Sequence, residues 1–101
     1  MALLDDVKQA LRISINNTNF DTEVNDLISA ARLDLIQSGV SADKVNLDTD
    51  PLIKRAVITY CKANFGYDNP EADRFQQSYT MLKQHLSLAG DYREVPVDET
   101  Q

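Results

Sequence analysis

Cys61 and His85 are the side chains that most invite a chemical reading. They are the only thiol and the only imidazole in 101 residues. A thiol becomes a nucleophile when a histidine or a cation lowers its pKa, and a Cys–His pair is the minimum set for acyl transfer. Cys61 instead sits among Ala56, Val57 and Tyr60, the setting of a small buried hydrophobe. Zinc needs four nitrogen or sulfur ligands, which one Cys and one His do not supply. A single cysteine also rules out an internal disulfide. Asp5 and Asp6 are adjacent carboxylates at the start of an apolar-periodic run, where acids suit the helix dipole. Nothing beside them points to general acid–base work. There is no glycine-rich phosphate loop, no HExxH and no nucleophile elbow. His85 reads as a structural residue. The expectation is no catalytic residue, no metal and no cofactor.

What would position such side chains is a set of helices, marked off by glycine and proline. Gly39, Gly66 and Gly90 each close an apolar-periodic run, where a residue past a helix end often takes φ > 0. Pro51 after Asp50, and Pro70 after Asn69, read as a capping residue followed by the first helical position. The first predicted helix covers about residues 2–12, with Leu4, Val7 and Leu11 on one face beside Leu3 and Ala10. Residues 13–19 read as a loop. The second helix starts at a capping box of Thr18 and Asp21 and runs to Gly39. Its buried face is Phe20, Val24, Leu27, Ile28, Ala31 and Leu35, and its acidic face is Asp21, Glu23 and Asp26. Ser41 caps a short turn through Val45, and Val40, Val45 and Leu47 are expected under the bundle. The third helix covers about 51–65, with Leu52, Ile53, Ala56, Val57, Tyr60 and Phe65 as its apolar residues. The fourth covers about 70–89. Phe75, Tyr79, Leu82 and Leu86 make its core stripe, and Met81, His85 and Leu88 lie off that stripe. The fold class is therefore all-α: a small four-helix bundle over residues 1–90, with an extended or flexible acidic tail over 91–101.

Charge narrows the function. The net charge is −6 and is unevenly spread. Residues 1–40 hold six acids and three bases, residues 41–90 six of each, and residues 91–101 four acids and Arg93. No basic face has the density that phosphate contacts require, so duplex DNA affinity should be negligible at physiological salt. No run approaches the ~20 apolar residues of a membrane span. The opening MALLDDVKQA carries acids where a secretion leader carries bases, so synthesis and use in a cytoplasm are expected. The third helix is locally basic, with Lys54, Arg55 and Lys62 and no acid between Pro51 and Tyr67. After Gly90, Tyr92, Glu94, Val95 and Val97 flank Pro96, which biases Val95 to an extended shape. These seven residues are the candidate partner interface, with the tail expected to dock on an adjacent subunit or a further protein rather than to serve folding.

The segments LLDDVKQALRIS, TEVNDLISAARLDLIQSG and DPLIKRAVITYCKANFGYDNPE, in this order and spacing, resemble the small head–tail connector (adaptor) proteins of long-tailed, siphovirus-type bacteriophages. The likeness covers about residues 3–88. It rests on packing and cap residues, among them Val7, Leu11, Leu27, Ile28, Ala31 and Ala56, which read as core. The resemblance implies a structural virion subunit, made in the bacterial host cytoplasm. Such a subunit forms a homo-oligomeric ring, twelve-fold, beneath the portal protein. The ring extends the DNA channel without binding DNA specifically and docks a stopper or tail-completion protein. No enzymatic activity is implied.

The competing reading from the residues is a small acidic helical regulator, an anti-repressor or antitoxin-like module that binds a basic protein. The acidic first forty residues suit it. The charge-balanced middle does not, because a nucleic-acid mimic needs carboxylates across most of one surface.

Overall fold

Aspartate, proline and an acid-free apolar stretch start the helix on which the rest of the chain packs. The Asp50 carboxylate accepts from the Leu52 and Ile53 N–H groups, 3.0 and 3.1 Å away, and Pro51 occupies the first turn. This computed structural model describes residues 3–47, 49–65, 70–90 and 92. It has five helices in the order α1 (Leu3–Ala10), α2 (Asp21–Gln37), α3 (Ala42–Val45), α4 (Pro51–Asn64) and α5 (Ala72–Leu88). No strand occurs among the described residues. The four long helices answer to the four expected from the sequence, and α3 is the short turn after Ser41. α4 is the hub, packing against α5, α2 and α1. Ile53, Ala56, Val57 and Cys61 of α4 meet Val24, Ile28, Ala31 and Leu35 of α2, Leu3 and Val7 of α1, and Tyr79 and Leu86 of α5 in one core. Val40 and Val45 complete it.

Two helix ends show the same hydrogen-bond pattern on very different residues. At Gly39, with φ 105°, Gly39 N–H reaches Ile36 O and Val40 N–H reaches Leu35 O. This is the left-handed stop expected there, and it turns Val40 into the core. At the end of α1, Arg12 takes φ 64°, with Arg12 N–H to Gln9 O and Ile13 N–H to Lys8 O. No glycine marks that stop, so α1 ends at Ala10 without the sequence signal used elsewhere.

Several expectations about helix starts and stops are corrected. The residue before α2 is Phe20, with no side-chain cap, so Thr18 and Asp21 form no capping box. Asp21 bonds Lys8 instead. Pro70 lies two residues ahead of α5, whose N-terminal flank is Glu71. Gly90 has no positive φ. Gly66 and Asn69 lie outside the described residues. Phe20, Leu52 and Leu47, expected inside, are 39 %, 39 % and 47 % exposed.

A buried lysine fastens α1 to the loop that follows it. Lys8 is 1 % exposed, and its Nζ donates to Ile15 O (3.1 Å), Asn17 O (2.8 Å) and Asp21 Oδ1 (2.7 Å). The ammonium's three hydrogens are thus all used, which is the condition for burying it. The loop of Asn, Ser and Thr residues supplies carbonyls to this cation rather than to helix.

A second polar node joins α2 to α5. Tyr79, buried edge-on against Tyr60 at 5.0 Å, donates its hydroxyl to Asp34 Oδ2 at 2.6 Å, and Lys83 Nζ donates to the same oxygen at 3.0 Å. Burial pulls the Asp34 carboxyl upward, but the two hydrogen bonds and the Lys83 charge outweigh it and hold the group below its ordinary value. Burial, then the Asp34 bond and charge, raise the Tyr79 hydroxyl well above its ordinary value.

Candidate functional site

The basic stretch of α4 falls on the side of the helix turned from the core. Lys54, Ile58 and Lys62 recur at four-residue spacing and so share one face, with Arg55 beside them. Together with Thr49 and Pro51 they line a groove of about 410 Å³. Their charges differ in availability. Lys54 Nζ lies 3.1 Å from Asp6 Oδ2 of α1. Lys62 Nζ stands 5.4 Å from the Phe75 ring centre, in cation–π position. Arg55 is exposed, and its guanidinium has no ion pair among the described residues.

Arg55 also borders a second hollow, of about 290 Å³, shared with Ser78, Met81, Leu82 and His85 of α5. Met81 is 70 % and Leu88 76 % exposed. The off-stripe strip of the last helix is thus a surface strip and not a widened core. Basic groove and apolar hollow therefore form one continuous surface that turns on Arg55. The outer face of α2 has the opposite character. Glu23 and Asp26 are exposed there, in company with Leu33 at 56 %. Sequence reading missed Leu33, whose position off the buried stripe was the available signal.

Of the proposed tail residues, Tyr92 is seated on its own domain. Its N–H reaches Ala89 O, its carbonyl accepts from Ser41 N–H at 2.7 Å, and its hydroxyl lies 3.3 Å from Asp50 Oδ1. Lys44 Nζ lies 5.5 Å from its ring centre. Tyr92 therefore packs against this chain's core. Glu94, Val95 and Val97 lie outside the described residues.

The side chains with chemical potential are not brought together. Cys61 is buried in the core, and burial pushes its thiol up to about 12, far from a nucleophile's range. His85 is exposed on α5. Asp6 serves Lys54. Among the described residues no group of His, Cys, Asp and Glu has a geometry that would hold a metal, and no helix is long and apolar enough to cross a membrane.

Fold and surface together define a small all-helical domain built to make contacts. The sequence model of one family, described as phage connector protein, matches residues 3–93. The chain belongs to the phage connector protein family, and so is a structural connector component of a phage virion. The matched stretch runs past Gly90 and includes Tyr92, in keeping with the seat of that residue on the domain. No curated protein and no solved structure matches the chain.

Proposed function

We propose that the protein is the head–tail adaptor of a long-tailed phage: a subunit that closes into a ring beneath the portal, twelve-fold, and receives the stopper or tail-completion protein. The observation that carries this reading is the unlike character of two surfaces on one small domain. The α4–α5 surface is basic and apolar, with Arg55, Met81 and Leu88 exposed. The outer face of α2 is acidic, with Glu23 and Asp26. Unlike faces that complement each other are what a head-to-tail contact between identical copies requires, and such contacts make a ring when the rotation between copies closes. A net charge of −6 suits a conduit that lets DNA pass without gripping it. In this reading the protein has no enzymatic activity and needs no cofactor.

The test is light scattering and negative-stain microscopy of the full chain, alone and mixed with the portal protein of the same phage. Rings, or decoration of the portal's lower end, are expected. Arg55→Glu should weaken assembly while leaving the circular dichroism spectrum unchanged. A chain that stays monomeric, ignores the portal and binds a basic nucleic-acid-binding protein instead would establish the regulator reading.

A further inference from the structure

The hollow beside Arg55 has the layout of a helix-packing socket. Ser78, Met81, Leu82 and His85 are spaced i, i+3, i+4 and i+7 on α5, the four-residue diamond that receives one side chain from a facing helix. Arg55 of α4 flanks it, so the socket is apolar at Met81 and Leu82 and cationic on one side. No carboxylate lines it among the described residues. We infer that Leu33 of a second copy of this chain fills the socket, with the Asp26 carboxylate of that copy accepting from Arg55.

The outer face of α2 carries the matching knob. Val24, Ile28, Ala31 and Leu35 are buried, and helical spacing puts Leu33 and Asp26 on the opposite side of the helix. Leu33 is the one exposed large apolar side chain within α2. Its exposed neighbours Ser29 and Ala30 are small, so a second helix comes close enough for Leu33 to be inserted. Asp26 stands two turns earlier on the same line, about 10 Å along the axis, within reach of a long side chain at the socket's flank. Arg55 and Asp26 each have no ion pair among the described residues.

The two halves of this contact sit on one chain but do not meet there. Leu33 points away from the core that α4 and α5 complete, so a copy does not fill its own socket. Each copy offers a knob to one neighbour and a socket to another, a heterologous contact that repeats from copy to copy. The inference rests on the ring-forming reading above and adds to it the residues that meet.

A chain carrying both Leu33→Cys and Met81→Cys, full-length, mixed with the portal protein of the same phage and oxidised, tests it. Cys61 is buried with its thiol held near 12 and takes no part. A ladder of dimers, trimers and larger species is expected on a non-reducing gel, with each single-cysteine chain at monomer mass. Asp26→Lys and Arg55→Glu should each abolish the ladder in chains of unchanged circular dichroism. Combined in one chain they should restore it, because the reversed charges meet again across the contact. Rings visible by microscopy without a ladder would overturn the inference and leave the ring reading standing, as would a ladder indifferent to either reversal or a double reversal that fails to restore it. A dimer from Leu33→Cys alone would show like faces packing and overturn it too. Monomers on the gel with no rings on the portal would overturn both readings.

Discussion

Replacing Lys8 by methionine keeps the aliphatic stem and removes only the ammonium. In the native fold that ammonium holds two loop carbonyls and one carboxylate at 3.1, 2.8 and 2.7 Å. Each acceptor left unpaired in a buried site costs roughly 1–3 kcal/mol. The acceptors differ in their access to water. The Asp21 side chain is 29 % exposed and rehydrates readily, so its share is small. The two carbonyls belong to a surface loop and recover part of their bonding if the loop opens. We therefore expect Lys8→Met to destabilise by about 2–3 kcal/mol, below the 3–5 kcal/mol typical of breaking a fully buried pair. For a domain of this size that lowers Tm by roughly 8–20 °C. Urea denaturation followed by far-UV circular dichroism measures it. A double-mutant cycle supplies the sharper check. Asp21→Asn alone should cost about 1 kcal/mol, part of it from the first-turn charge on α2. In the Lys8→Met background its remaining cost should fall to about that helix-dipole share, a few tenths of a kcal/mol. If Lys8→Met unfolds at the same urea concentration as the parent, the ammonium is not a fastening and the reasoning fails.

Gly39→Ala should destabilise by about 1–2 kcal/mol because of its φ of 105° alone, since the nearest atom to a new Cβ is Ser87 Cβ at an ordinary 3.9 Å; an unchanged Tm would contradict this. Tyr79→Phe removes a hydroxyl from Asp34, and since that carboxylate is 37 % exposed and partly screened, a loss near 1 kcal/mol is expected from calorimetry. Asp34 has a lowered folded pKa, so its contribution is present above the unfolded value of about 4 and is lost as pH falls through the folded one. The acid limb of the stability curve should therefore be shallower in Tyr79→Phe, and identical limbs would refute the node. Cys61 should fail to react with a thiol reagent at pH 8 until the protein unfolds, because burial holds its thiol near 12; prompt labelling of the native protein would show an open core.

Where sequence and structure agree, the signal was local and repeated. The buried face of α2 follows from apolar residues at helical spacing, and the start of α4 follows from an Asp–Pro pair whose two roles are both visible in the chain. The structure departs from these expectations where a distant partner decides. Asp21 looks like the second half of a capping box until Lys8, thirteen residues earlier, claims its carboxylate. Arg12 carries no mark of a left-handed residue; the fastening of the next loop by Lys8 imposes it. Leu47 and Leu52 flank the Asp50 cap, where the chain turns at the surface, and periodicity alone does not see that turn. The candidate site divides in the same way. The basic residues of α4 and the off-stripe residues of α5 were readable as two separate strips. That Arg55 joins them into one surface depends on the pairing of α4 with α5, which no local pattern encodes.

The place of α4 as the hub has a consequence for the order of synthesis. α1 and α2 both rest their apolar sides on a helix that leaves the ribosome after them, and α5 follows later still. A nascent chain that stops short of residue 64 covers Val24, Ile28 and Leu35 only in part, from α1 and α3, and gains little by compacting. The domain closes only when the helix carrying its outward-facing charges has emerged, and the Met81 and Leu88 strip follows on the last element. Contact surface and finished core thus leave the ribosome almost together, so a half-made chain presents incompletely covered core residues but not yet the Met81 and Leu88 strip.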